Sequence, residues 1–434
     1  MTFDEARAYL LKRAEAEDVD AEIIADETRE LTLDAFGGVL SETTQAVRGG
    51  LGLRVIKDGK TGYASSEELT QEALDWVLSE AVENAELQSS GEAALPAGRA
   101  LGYQDLLSEG LSAPADEKGE AALAFEGNLR SDPQLKQVVL ARYSEKEYQF
   151  ALSSTKGAEG GYRNGYAAIG GVALLVEGES IKQGYDIKVE RDFHLLEPGN
   201  TAQEILAKTR RHLGAKPLTS GRYTAYFEPK AFTQLFGLLE YMLSGKTLAE
   251  GKSRFLGKLG KQVANTRFTL VDDATLDGGL ASRPFDSEGV LSQRLELIES
   301  GVLKAFMHNT ATAAKTGHQS TGHASRSYKG VLEVSSSNLF LAPGEGVDVR
   351  NGVVITGLSG LHAGANPITG DISLQALGLK YEAGELVYPV ENFVISGNLC
   401  DWLLRIASLG SAVEWYQTKA APMVEIPDVS FAGS

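Results

Sequence analysis

Apolar residues in the stretch 230–243 fall at Phe232, Leu235, Phe236, Leu239 and Met242, the three-and-four spacing of a helix with one buried face. Gly245 stops that helix, and the Gly, Lys and Ser residues that come after it as far as Gly260 predict a tightly folded loop. Helical spacing recurs at Ala6, Leu10, Leu11 and Ala14 behind a Thr2/Glu5 capping box. It returns at Leu69, Ala73, Trp76, Val77 and Ala81 behind a second box at Ser65 and Glu68. Alternating or β-rich runs predict strands over 21–25, 30–36 and 52–57, and Asp58-Gly59 makes a tight turn into 61–64. This first unit reads as an antiparallel meander with two helices.

Small residues with Pro96 and two glycines over 89–100 predict a linker. Beyond it come a helix near 116–128, strands over 137–144 and 148–153 joined at a Glu145-Lys146 turn, and strands over 162–177 and 181–190. Thr201 with Glu204 then caps a helix reaching His212. After a break at 214–221, short strands dominate, at 222–227, 268–271, 291–299, 331–334, 353–355 and 387–395. One late helix, 399–407, is expected to pack Leu403, Leu404 and Ile406. The fold class is therefore α+β: an N-terminal α/β half of antiparallel sheets and helices, and a β-rich, barrel-like or layered C-terminal half. The expected units are 1–90, 100–215 and 221–434.

With 434 residues and 43% hydrophobic content, the chain can bury several cores. Its 41 Lys and Arg against 59 Asp and Glu give a net charge of -18, which disfavours a nucleic-acid backbone as partner. No basic segment followed by a long apolar run opens the sequence, and no run is long enough to cross a bilayer. The single cysteine, Cys400, agrees with a reducing compartment. A cytoplasmic protein with no membrane partner is expected.

Several stretches carry a resemblance to a known family. They are 52–65 (GLRVIKDGKTGYAS), 251–265 (GKSRFLGKLGKQVAN), 281–326, 357–378 and 389–399 (PVENFVISGNL), in order along the chain and together with the helix at 230–243. They resemble the TldD/PmbA family of peptidases, also called peptidase U62 or modulators of DNA gyrase. The resemblance implies that active TldD-type members carry H-E-x-x-x-H on this helix and hold a metal there. Here the ligand positions match Phe236 and Tyr241, neither of which can coordinate zinc. The sequence is thus similar to the PmbA/TldE type of subunit, lacking the metal site. The resemblance further implies a dimer around a cavity, zinc in a TldD-type partner and none in this chain, and unfolded peptides as substrate.

The resemblance also directs attention to the C-terminal half. His308, His318, His323 and His362 fall there, and His318, His323, His362 and Asp371 are the substrate-cavity candidates. The five-residue step from His318 to His323 is not a zincin spacing, so no metal ligand and no catalytic residue is assigned. Asp286, Glu288 and Asp371 could pair as acid and base, but turn capping is the simpler reading. Cys400 stands in an apolar context and reads as an inert buried thiol. The stretch 245–253 departs from phosphate-loop spacing, and no G-x-S-x-G elbow occurs. Tyrosines at Tyr162, Tyr166, Tyr185, Tyr223 and Tyr226 could hold peptide or simply half-bury in sheets. Two alternatives remain beside the silent subunit: a stand-alone metallopeptidase using the C-terminal histidines, and a non-enzymatic peptide-binding or adaptor homodimer.

Overall fold

The computed structural model describes residues 1–88 and 93–433, so the first part of the expected linker lies outside the described residues. Helix α1 (Phe3–Ala16) begins at the capping box, with the Thr2 side chain accepting from Glu5 N and Glu5 answering at Thr2 N. Strands β1 (Asp20–Phe36), β2 (Val39–Lys57) and β3 (Lys60–Ser66) come next, then α2 (Gln71–Glu86). The succeeding elements are β4 (Ala100–Asp105), α3 (Ala115–Arg130), β5 (Leu135–Ser154), β6 (Glu159–Glu177), β7 (Ser180–Glu190) and α4 (Pro198–Arg210).

These strands form one sheet in the order β3-β2-β1-β5-β6-β4, with β7 also pairing β6. The β1–β5 pairing therefore carries a single sheet through residues 20–190. Helices α1 and α2 bury their apolar faces with Ile23, Leu51, Leu53 and Val55, while α3 and α4 do so with Tyr143, Ile169 and Leu175. Gly62 sits where an added Cβ would come within 1.9 Å of the Ala81 carbonyl, which lets α2 lie directly on β3.

Several local expectations give way to this sheet. The runs 21–25 and 30–36 belong to one strand, and 137–144 and 148–153 join through Glu145 and Lys146 without a turn. Charged residues interrupt a periodicity but not a ladder when one strand face is open to solvent. Thr70, not Ser65, caps α2, and Trp76 is 56% exposed, the buried stripe being Leu74, Val77, Leu78, Ala81 and Ala85. Thr201 lies inside α4, which starts at Pro198 because proline suits the first helical turn.

The C-terminal half starts with β8 (Lys216–Pro217) and β9 (Gly221–Phe227), then three short helices, α5 (Pro229–Thr233), α6 (Phe236–Leu243) and α7 (Gly245–Ala249). The single helix expected over 230–243 is thus broken at Gln234-Leu235. Beyond these lie β10 (Leu270–Asp273), β11 (Arg294–Glu299), β12 (Val302–Leu303), α8 (Thr310–Thr316), β13 (Ala324–Ser325), β14 (Glu333–Val334) and β15 (Leu339–Leu341). The chain continues through β16 (Gly352–Ser359), α9 (Leu361–Gly364), β17 (Asp371–Glu382), β18 (Glu385–Asn398) and α10 (Leu399–Arg405). It finishes with β19 (Ser408–Leu409), β20 (Glu414–Tyr416), β21 (Lys419–Ala421) and β22 (Val424–Ala432). In α10, Leu403 is buried but Leu404 is 48% exposed, which corrects its expected packing role.

Strands β22, β9, β16, β17 and β18 close into a barrel through the β18–β22 pairing. A second sheet runs β12-β11-β10-β15-β21-β20. Between them lies the large C-terminal core, in which Phe236, Leu239 and Met242 of α6 join Phe227, Ile355, Leu374, Ile395 and Trp402. A smaller apolar seam, Ile24, Phe150, Leu152 and Tyr162 with Phe285, ties the N-terminal sheet to the C-terminal half. No described helix is long and apolar enough to cross a membrane.

Candidate functional site

Helix α6 is positioned at its C-terminal end by backbone chemistry. Ser244 ends it in an extended conformation and turns its Oγ to Lys246 N at 3.2 Å, starting α7. Gly245 N donates to Met307 O at 2.7 Å, and an added Cβ there would lie 2.2 Å from His308 Nδ1, so only glycine permits this approach. Phe255, fully buried, and the Ser253 hydroxyl, which donates to Met242 O, pin the loop back on α6. The outer face of the helix opens on a cleft lined by Gly237, Glu240, Tyr241, Ser244 and Thr247. Within it, Glu240 accepts from Ser336 Oγ and pairs with Lys419.

The other candidates disperse. His318 is exposed and its ring stacks on His308, with centroids 5.0 Å apart. His323 is buried, with Nε2 2.9 Å from Asp272 Oδ2 and Nδ1 near Thr321. Ser337 Oγ bonds that same carboxylate at 2.5 Å and not the imidazole, so serine, histidine and aspartate meet without the connectivity of a nucleophilic triad. His362 on α9 and Asp371 at the start of β17 are exposed. Asp371 accepts from Asn398 Nδ2 and Thr369 Oγ1 at 2.9 and 2.7 Å, and these bonds hold its carboxyl below the usual range.

Asp286 caps a turn by accepting from the amides of Glu288, Val290 and Ala324. Burial, and then the Glu288 charge, nevertheless push it up to about 7. Glu288 has a different task. One oxygen lies 2.8 Å from Arg54 Nη1 and the other accepts from Thr310 N, joining the N-terminal sheet to α8. Glu22, Arg54 and Arg326 complete this buried cluster, which sequence reasoning missed because an isolated charge in a strand reads as solvent-facing.

His308 supplies a measurable pH dependence. Its imidazole is 1% exposed and is pushed down to about 4, first by burial and then by His318 and His323. A depressed folded value means that the unfolded chain protonates first as pH falls. The contribution is complete above the unfolded value of about 6.5 and disappears towards pH 4. From pH 7 to pH 5 the expected loss is about 2 kcal/mol. It is measured as the difference between the guanidinium unfolding free energies of wild type and His308→Asn at both pH values. Parallel pH profiles would exclude His308 as the source.

Comparison with known proteins places this geometry. Residues 21–85 match PmbA/TldA metallopeptidase domain 1, residues 109–213 the PmbA/TldA metallopeptidase central domain, and residues 220–433 the PmbA/TldA metallopeptidase C-terminal domain. The chain belongs to the PmbA/TldD family. Metalloprotease PmbA of Escherichia coli O157:H7 is 26% identical to it over 99% of this chain and 96% of that protein. The crystal structure of a candidate modulator of a DNA gyrase from Thermotoga maritima superposes with a TM-score of 0.89 at 29% identity, covering 99% of this chain and 100% of that one. TldE of Thermococcus kodakarensis, at 21% identity and a TM-score of 0.85, covers 99% of this chain and 100% of its own and shares the fold.

Zinc, which a metallopeptidase family implies, does not fit the residues at α6 of this PmbA/TldD-family chain. Phe236 is fully buried against Phe232, with ring centroids 6.0 Å apart, and presents no donor atom to the cleft. Gly237 has no side chain, and Tyr241 offers a phenol where zinc prefers imidazole, thiolate or carboxylate. Cys400 lies 4.0 Å from the Met242 thioether, and burial raises its thiol above the usual value, which favours the protonated form. Among the described residues no group of three His, Cys, Asp or Glu side chains could hold a metal ion.

Proposed function

We propose that this chain is the PmbA/TldE-type, catalytically silent subunit of a cytoplasmic metallopeptidase complex that degrades or matures unfolded peptides. Its work is to complete the substrate cavity of a TldD-type partner that carries the zinc. The observation that supports this reading is the donor chemistry of α6: Phe236, Gly237 and Tyr241 stand on a helix whose inner face is packed into the main C-terminal core. Its Ser244 terminus and the buried Phe255 loop keep the family scaffold. A role confined to the scaffold accounts for both features. The units 1–90, 100–215 and 221–434 are proposed as its domains, and exposed His318, His362 and Asp371 remain the cavity candidates; His323, locked to Asp272, has no ring nitrogen open to a ligand.

Metal content by mass spectrometry, with hydrolysis of an unstructured peptide, tests the proposal. The purified chain alone is expected to hold no stoichiometric zinc and to show no hydrolysis. Mixed with a sister chain bearing H-E-x-x-x-H from the same organism, it is expected to raise that sister's peptide hydrolysis at least tenfold. One zinc per chain in the unmixed protein, together with hydrolysis, would overturn the silent-subunit reading in favour of a stand-alone peptidase.

A further inference from the structure

A cleft of 180 Å³ between the N-terminal sheet and the C-terminal half is lined by Lys146, Tyr148, Tyr162, Tyr166 and Arg283, and it shares no residue with the α6 cleft. The charge at its wall is unusual. Arg283 is half-buried, its Nε and Nη2 are shielded from solvent without a hydrogen-bond partner, and among the described residues no carboxylate lies within ion-pair distance of it. A guanidinium held like this is only partly solvated and lacks a counter-charge, so an arriving anion gains more from it than from a surface arginine.

The surroundings add a cation and three phenols to the wall. Lys146 is the second cation, 3.5 Å from Glu30. Burial raises the phenols of Tyr148, Tyr162 and Tyr166, Tyr162 to about 12, so all three keep a proton to donate at neutral pH. The loop is fixed before any ligand arrives: Asn164 Nδ2 donates to Leu280 O and Ser282 O at 3.3 and 3.0 Å, Arg283 N donates to Ala274 O, and Pro284 is the next residue. Such preorganisation lowers the entropy lost on binding. In a chain of net charge -18, a half-buried arginine without an ion-pair partner among the described residues is a local exception that attracts a carboxylate.

We infer that the Arg283 cleft binds the terminal carboxylate of a peptide, fixing the C-terminal end of the substrate. The inference rests on the peptide-handling role proposed for this chain. Its ligand chemistry is that of a planar anion, which a free phosphate or an internal acidic side chain could also supply.

Fluorescence anisotropy with a labelled nonapeptide of Gly, Ser and Ala separates these cases. The free-acid peptide is expected to bind at least tenfold more tightly than its C-terminal amide. Arg283→Gln should abolish that difference, Arg283→Lys should keep part of it, and Lys146→Gln, with a partly exposed side chain on the interior strand β5, should reduce it with an unaltered thermal midpoint. Equal binding of acid and amide would overturn the carboxylate site while peptide handling stood; binding of neither, by the chain alone and mixed with the H-E-x-x-x-H sister, would overturn both. An amidated peptide with one glutamate that binds as tightly as the free acid would overturn the assignment to the terminus. So would full displacement of the free acid by inorganic phosphate at the peptide's own concentration.

Discussion

Replacing Arg54 with methionine is expected to cost about 3–5 kcal/mol of folding free energy. Arg54 is 3% exposed, with Nη1 2.8 Å from Glu288 and Nε 3.6 Å from Glu22, and Arg326 Nη2 lies 2.9 Å from the same Glu22. Two anions and two cations thus alternate across the junction between the N-terminal sheet, which supplies Glu22 and Arg54, and the C-terminal half, which supplies Glu288 and Arg326. Their formal charges cancel. Removing one cation leaves a carboxylate in a medium that solvates it poorly, and this penalty exceeds the net worth of the intact pair. The double variant Arg54→Met with Glu288→Leu restores balance and should recover more than half of the loss. Urea unfolding of both variants checks this. A single variant costing under about 1 kcal/mol would mean that the cluster is hydrated rather than dry.

Phe236 carries the second large effect. Phe236→Ala is expected to cost about 3–5 kcal/mol, because the ring is fully buried in the main C-terminal core beside Phe232. Phe236→His should cost a similar amount, since the imidazole would enter an apolar site without a hydrogen-bond partner. It should also fail to take up zinc. Tyr241→His, half-exposed at the cleft, is expected to change stability by about 1 kcal/mol or less. Calorimetry and zinc titration of the three variants test the contrast. Zinc bound tightly by the Phe236→His, Tyr241→His double variant would show that position 236 can reach the cleft, and that only side-chain identity keeps this helix silent.

The features legible in the chain before folding are local ones. The Thr2/Glu5 box starts α1 as its spacing requires, since both bonds span three residues and need no partner from elsewhere. The α+β class and the β-rich second half also derive from periodicity, because side-chain burial must alternate with a period near 2 or 3.6 wherever a face meets a core. The missing donors at Phe236, Gly237 and Tyr241 are likewise a property of the chain alone. Local spacing misled where tertiary packing overrode it: at Glu145 and Lys146 in mid-strand, at Trp76 on the solvent side of α2, and at the break in 230–243.

Residue types and their short-range spacing therefore determined the first helix, the fold class, the lack of a zinc-binding side chain at positions 236, 237 and 241 and the surplus of acid. Only the tertiary structure decided that Glu22, Arg54, Glu288 and Arg326 meet, that His323 is locked to Asp272 while His318 stays exposed, and that Arg283 faces a recess without a counter-ion. The reason is physical. Capping and periodicity act over a few residues, whereas the energy of a charge depends on which distant segments exclude water around it, and no short window of sequence contains them.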